Sequence, residues 1–73
     1  MSSMREIVFA ENLKLLMKEH GYNQVRLAKL TGISQSAISA WLLGKKEPSI
    51  LSLWILADVF DTTVDELIGR NLF

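Results

Sequence analysis

Residues that begin helices and residues that end them alternate along this chain of 73 residues. Asn, Ser and Thr side chains accept hydrogen bonds from the first turn of a helix, and Gly readily adopts the positive φ that follows a last turn. The predicted starts are Asn23, Ser34, Ser49 and Thr62 or Thr63, and the predicted ends are Gly21, Gly44 and Gly69. Between them the apolar residues recur at helical spacing. The pattern predicts five short helices over Met4–His20, Gln24–Leu30, Gln35–Leu43, Ile50–Phe60 and Val64–Ile68.

Short connections between these helices favour an all-α fold, a compact five-helix bundle. We expect a single domain over residues 1–73, because hydrophobic residues make up 49% of the chain and can fill one core. The chain has no Cys, which excludes disulfides and thiolate metal sites. It shows no apolar run of the roughly 20 residues that span a membrane, and no signal peptide is visible. We therefore expect a cytoplasmic location.

Charge is divided unevenly along the chain, although the net charge is zero. Residues 1–46 carry seven Lys and Arg against three Glu, a balance of +4, and residues 47–73 carry one Arg against five Asp and Glu, a balance of −4. A basic region of this kind is typical of proteins that bind a polyanion. A chance split of surface charges fits the same numbers, so charge alone leaves both interpretations open.

The second and third predicted helices are joined by a turn that contains Gly32, which is the arrangement of a helix-turn-helix unit over about residues 24–43. Leu27, Ala28 and Leu30 give the second helix an apolar side. Ile33 and Ile38 are apolar where the two helices of this unit must dock on each other.

Polar residues open the third predicted helix, and Gln35, Ser36 and Ser39 share one side of it. An α-helix fits the major groove of DNA, where a Gln side chain can pair with N6 and N7 of adenine. The same residues would also suit a solvated surface. Trp41 follows Ile38 at core spacing, which favours a half-buried core residue over a residue that stacks on bases.

At these residues the chain resembles the phage-repressor family of helix-turn-helix proteins, of the Cro-like, XRE type. The matching residues are Gln24, Leu27, Ala28, Gly32, Ile33, Ser34, Gln35, Ile38, Ser39, Trp41, Gly44, Pro48, Ser49, Leu56, Ala57, Asp65, Glu66 and Leu67. The resemblance covers about residues 13–68. It implies a five-helix, lambda-repressor-like domain that binds operator DNA as a two-fold dimer.

The resemblance also implies roles for individual residues. Gln35 and Ser36 would meet bases, and Ser39 and Ala40 would hold further groove-facing positions. The residues expected at phosphates are Gln24, Ser34, Lys45 and Lys46. For the two lysines, ordinary loop charges remain the alternative.

The chain departs from the family at three places. Met17 and Leu42 stand where many members carry a buried Arg–Glu ion pair, and a paired apolar replacement avoids a stranded charge. We therefore expect Met17 and Leu42 to touch. Leu43 stands where the family often has a polar phosphate contact, and Ala40 replaces a frequent long polar side chain.

The fourth predicted helix has more apolar residues than one core-facing side needs. Leu53, Leu56, Ala57 and Phe60 form a core stripe, and further apolar residues lie off it or in the tail. These are Leu51, Trp54, Ile55, Leu72 and Phe73. Exposed apolar patches often mark interfaces, so these residues are the candidate dimer interface. Covering the core is the alternative.

These observations predict a sequence-specific regulator of transcription, a repressor, that binds a palindromic double-stranded DNA operator as a homodimer. The alternative is an antitoxin-like or other protein-interaction module that keeps the helix-turn-helix fold. We expect no enzyme activity, cofactor, metal, small-molecule ligand or membrane contact, because no nucleophile–base set, phosphate-binding Gly loop or metal-ligand spacing is present. The operator sequence, and whether the chain is part of a longer regulator, stay open.

Overall fold

The computed structural model describes residues 3–69 of the chain, with side chains from residue 8 onward. Over this range the chain forms helices joined by turns. The helices are α1 (Ser3–His20), α2 (Gln24–Thr31), α3 (Gln35–Leu42), α4 (Ile50–Phe60) and α5 (Val64–Ile68). The predicted all-α fold is confirmed, and the bounds of α1, α2 and α3 each differ from the prediction by one residue.

Four helices begin where a side chain satisfies a main-chain N–H of the first turn. Asn23 accepts from Arg26 (2.8 Å), Ser34 from Ala37 (3.2 Å), Ser49 from Ser52 (3.1 Å) and Thr63 from Glu66 (3.1 Å). The last of these is a capping box, because the Glu66 carboxylate also accepts from the Thr63 N–H. Thr63 rather than Thr62 is therefore the residue that starts α5.

A single apolar cluster holds the helices together. It consists of Phe9, Leu13, Met17, Leu27, Ile38, Trp41, Leu56, Ala57, Phe60 and Leu67. Among the side chains that the structure describes, every buried one is apolar. α1 packs against α3 and α5, and α2 packs against α3 and α4. This packing fixes α3 to the body of the protein through one side and leaves its other side at the surface.

No helix within residues 3–69 is both long and apolar enough to cross a membrane.

Candidate nucleic-acid interface

The turn between α2 and α3 is held by hydrogen bonds of its own residues. Gly32 ends α2 with φ +76°, a conformation that suits glycine, and its N–H donates to the Ala28 carbonyl (2.9 Å). The Thr31 hydroxyl donates to the Leu27 carbonyl (2.8 Å) and accepts from the Ile33 N–H (3.1 Å). These bonds fix the backbone from the end of α2 to Ile33, the residue that precedes the Ser34 cap of α3.

The first turn of α3 presents polar side chains to solvent. Gln35 and Ser36 are exposed. Ser34 is exposed as well, and its Oγ lies 3.4 Å from the Ser36 Oγ while it caps the helix. Ser39 and Ala40 follow on the same side and are half-buried. Within α3 itself, the exposed part of this side is therefore the N-terminal turn, whose residues contact base edges in DNA-binding helices of this kind.

The opposite side of α3 belongs to the core. Ile38 is fully buried and Trp41 is 5% exposed. The Trp41 ring meets Phe9 of α1 edge to face, with ring centroids 6.2 Å apart. The prediction of a core role for Trp41 is confirmed, although the residue is buried more completely than the predicted half-burial. Trp41 is not available to stack on a base.

Gln24 is the first residue of α2 and is half-buried beside a shallow concavity. Met17 and Leu42 line this concavity too, together with Lys14 and Lys18 of α1. The predicted contact between Met17 and Leu42 stays a prediction, and their shared position supports it. The two lysines were not among the residues predicted to meet DNA. Their i, i+4 spacing predicts that they share one side of α1, and the packed structure places that side beside Gln24.

Lys45 and Lys46 are exposed in the segment that follows α3. The Lys45 N–H donates to the Ala40 carbonyl (2.9 Å), so the start of this segment is fastened to the last turn of α3. Both lysines therefore follow closely after the C-terminal end of the helix that presents Gln35.

The surface of α4 carries large apolar side chains in solvent. Leu51 and Trp54 are each 70% exposed, while Ile55 is half-buried. Ile50 is 83% exposed and was not predicted to belong to this surface. The missed signal is that Ile50 is the first residue after the Ser49 cap. The first residue of a helix has few neighbours that could bury its side chain. Of the other residues of the candidate dimer interface, Leu72 and Phe73 lie outside the described residues.

Sequence comparison relates the chain to known proteins. A profile described as helix-turn-helix matches residues 13–67. The HTH-type transcriptional regulator AnsR of Bacillus subtilis (strain 168) is 40% identical over 61 residues, which are 84% of this chain and 53% of AnsR. The HTH-type transcriptional activator BcrR of Enterococcus faecalis is 37% identical over 61 residues, 84% of this chain and 30% of BcrR.

An uncharacterized HTH-type transcriptional regulator of Bacillus subtilis (strain 168), YqaE, is 33% identical over 61 residues, 84% of this chain and 53% of YqaE. The chain thus spans about half the length of AnsR and YqaE. No solved structure gives a significant match.

Proposed function

This chain belongs to the phage-repressor (Cro-like, XRE-type) helix-turn-helix family, and we propose that it regulates transcription by binding double-stranded DNA in a sequence-specific manner. The observation that carries the proposal is the first turn of α3, where Gln35 and Ser36 are exposed on a helix that is fixed through Ile38 and Trp41. A polar turn on a rigid helix suits base recognition, because an α-helix fits the major groove.

The proposed roles follow from how accessible each side chain is. Gln35 and Ser36 contact base edges in the major groove. Ser39 and Ala40 are half-buried, so each offers only part of its side chain for contact with DNA. The residues proposed at phosphates are Gln24, Ser34, Lys45 and Lys46. Phosphate contacts of this kind fix the register of the protein on DNA, while base contacts carry the sequence preference.

We propose that the protein acts as a homodimer on a palindromic operator. One short recognition helix reads only a few base pairs, and two copies related by two-fold symmetry double that number. The exposed Leu51 and Trp54 of α4, with half-buried Ile55 beside them, supply apolar surface for the contact. The acidic balance of residues 47–73 supports the same arrangement, because phosphates would repel that part of the chain.

Three further parts of the proposal concern the whole protein. Repression is the simpler mode, because occupying a promoter requires only the DNA contact, although BcrR is named an activator. Residues 1–73 form a single domain in this proposal, and the single apolar cluster of residues 9–67 supports it. A cytoplasmic location stays a prediction.

A protein-interaction module is the second candidate, and the exposed Trp54 is the observation that favours it. The two candidates differ in what they do with DNA. A regulator enriches a duplex of defined sequence from a random pool, whereas a pure interaction module binds all duplexes equally.

The test selects a duplex from a random-sequence pool with the unaltered protein and then compares two variants on that duplex. We expect Gln35→Ala to weaken binding to the selected duplex by about 1–3 kcal/mol and to relax the preference at one base pair. Lys45→Ala is the matched control outside the first turn of α3. It should weaken selected and competitor DNA alike and flatten the log–log salt dependence by about 0.9 units, the value for one lost phosphate contact. Equal losses on both duplexes for Gln35→Ala would refute its base-reading role.

A further inference from the structure

Leu43 is a large apolar side chain that the end of α3 leaves in solvent, with 66% of its surface exposed. It is the residue that follows α3 directly. Two main-chain hydrogen bonds hold the end of the helix at this point. The Gly44 N–H donates to the Trp41 carbonyl (3.0 Å), and the Lys45 N–H donates to the Ala40 carbonyl (2.9 Å). This pair of bonds is the Schellman arrangement of a helix C-terminus. The backbone of Leu43 is therefore fixed while its side chain remains accessible.

Leu43 also lies on the side of α3 that the proposed function assigns to DNA. At about 100° per residue, Gln35 and Ala40 mark the edges of an arc of about 140°, and Leu43 falls near its middle, about 80° from Gln35. The backbone of Leu43 (φ −86°, ψ −4°) continues the helical winding, so the register holds to this residue. The buried Ile38 and Trp41 lie on the opposite side.

An apolar group at this position has a defined partner in the major groove. Base edges there present hydrogen-bond donors and acceptors, and thymine adds an apolar C5 methyl group. A leucine side chain cannot hydrogen-bond to a base or a phosphate, but it gains free energy when it and a methyl group leave water together. The exposed Lys45 and Lys46 follow within three residues, and their charge would hold the DNA backbone close to this end of α3.

We infer that Leu43 contacts the methyl group of a thymine and thereby selects thymine at one position of each half-site. This inference rests on the proposed function and names part of the sequence that the site prefers. Leu43 lies eight positions after Gln35, or about 12 Å along a helix. Since base pairs are about 3.4 Å apart, the thymine belongs to a different base pair from the one that Gln35 reads.

The experiment removes one methyl group at a time from DNA. The 73-residue chain first selects a duplex from a random-sequence pool, and each thymine of that duplex is then replaced in turn by deoxyuracil. Uracil keeps the Watson–Crick pairing and the O4 acceptor of thymine and lacks only the methyl group. We expect the unaltered protein to lose about fourfold in affinity at one thymine of each half-site, the effect of one buried methyl-sized group.

The same duplexes are then titrated with Leu43→Ala, which should bind thymine and uracil equally at that position. Leu43→Met keeps an apolar side chain and should keep the difference. Leu15→Ala removes a leucine that is 55% exposed on α1, and it should also leave the difference intact. Thermal melting followed by circular dichroism verifies that each variant folds.

The outcomes separate this inference from the function on which it rests. The inference is supported if Leu43→Ala loses the thymine–uracil difference while Leu43→Met and Leu15→Ala keep it. An unchanged difference in Leu43→Ala at every thymine, on a duplex that the protein does select, overturns the inference and leaves the proposed function standing. Failure to select any duplex overturns both.

Discussion

Glu66 helps to cap the start of α5 with both its main chain and its side chain. Its N–H donates to the Thr63 hydroxyl (3.1 Å), and its carboxylate accepts from the Thr62 hydroxyl and from the Thr63 N–H. The hydrogen bond from Thr62, followed by that from Thr63, lowers the pKa of Glu66 below its ordinary value. A lowered pKa in the folded state means that the charged carboxylate stabilises the fold.

The sign of the resulting pH dependence follows by linkage. The stabilisation is complete above the pKa of an unfolded Glu, about 4.3, and it is lost as pH falls through the lower folded-state value. We therefore expect the melting temperature of the unaltered protein to exceed that of Glu66→Gln at pH 6, and the gap to shrink as the pH falls below about 4. Asp65→Asn removes a charge from the same turn and leaves the capping box, so it reports the general effect of charge. A gap that stays constant down to pH 2 would contradict the prediction.

The contact of α5 with α1 depends on Gly69, which ends α5 at φ +79°. A Cβ at this position would collide with a Cγ of Val8 on α1. The Asn12 amide donates to the carbonyls of Glu66 and Leu67 (3.1 Å each), so the end of α5 is held against α1 and has little room to move.

Gly21 provides a matched comparison, because it has a similar φ of +70° and open space where a Cβ would lie. We expect Gly21→Ala to lower the free energy of unfolding by about 1–2 kcal/mol, the cost of the left-handed conformation. Gly69→Ala should cost a further ~1–3 kcal/mol, because Val8 must shift. Urea unfolding of both variants measures the difference, and Val8→Ala combined with Gly69→Ala should recover part of it. Equal losses for the two single variants would show that the Val8 contact is unimportant.

The helix bounds were largely predictable from the sequence, because each capping hydrogen bond joins residues only a few positions apart. Asn23, Ser34 and Ser49 start helices as predicted, and a local side-chain bond is enough to explain each. Burial depends on distant elements and was predicted less well. Leu30, predicted on the apolar side of α2, is 44% exposed, because the packing of α2 on its neighbours buries Leu27 instead. Trp41 is buried more than expected, because Phe9 covers it from a helix far away in sequence.

For the candidate site, too, local features were predictable from the sequence and features formed by packing were not. Exposure of Gln35 and Ser36 followed from helical register, which is a local property. The concavity that joins Lys14 and Lys18 to Gln24 is formed by α1, the start of α2 and Leu42 of α3, and only the packed structure brings these residues together. The DNA contacts predicted for Gln24, Gln35 and Ser36 stay predictions, because they depend on a second molecule.

The dimensions of residues 3–69 fit the proposed pairing of two copies. The described part measures 32 × 24 × 22 Å. Successive major grooves on one face of DNA lie about 34 Å apart, so two copies side by side could each place α3 in a groove. Their contact must lie away from α2 and α3, where DNA would bind. The exposed apolar residues of α4 belong to neither of these helices, and Trp54 is the largest of them.

Trp54→Glu tests this pairing, because it places a charge in the proposed interface without disturbing the core. Trp54 is 70% exposed, so we expect the monomer to stay folded and its melting temperature to change little. Sedimentation should show a weaker dimer, and the variant should lose its preference for a full palindromic operator over a half-site. Leu15→Glu adds the same charge at an exposed apolar residue of α1 and should keep that preference. If the unaltered protein bound the full operator and the half-site equally and sedimented as a monomer at every concentration, it would not act as a dimer, and each copy would have to recognise DNA alone through α3.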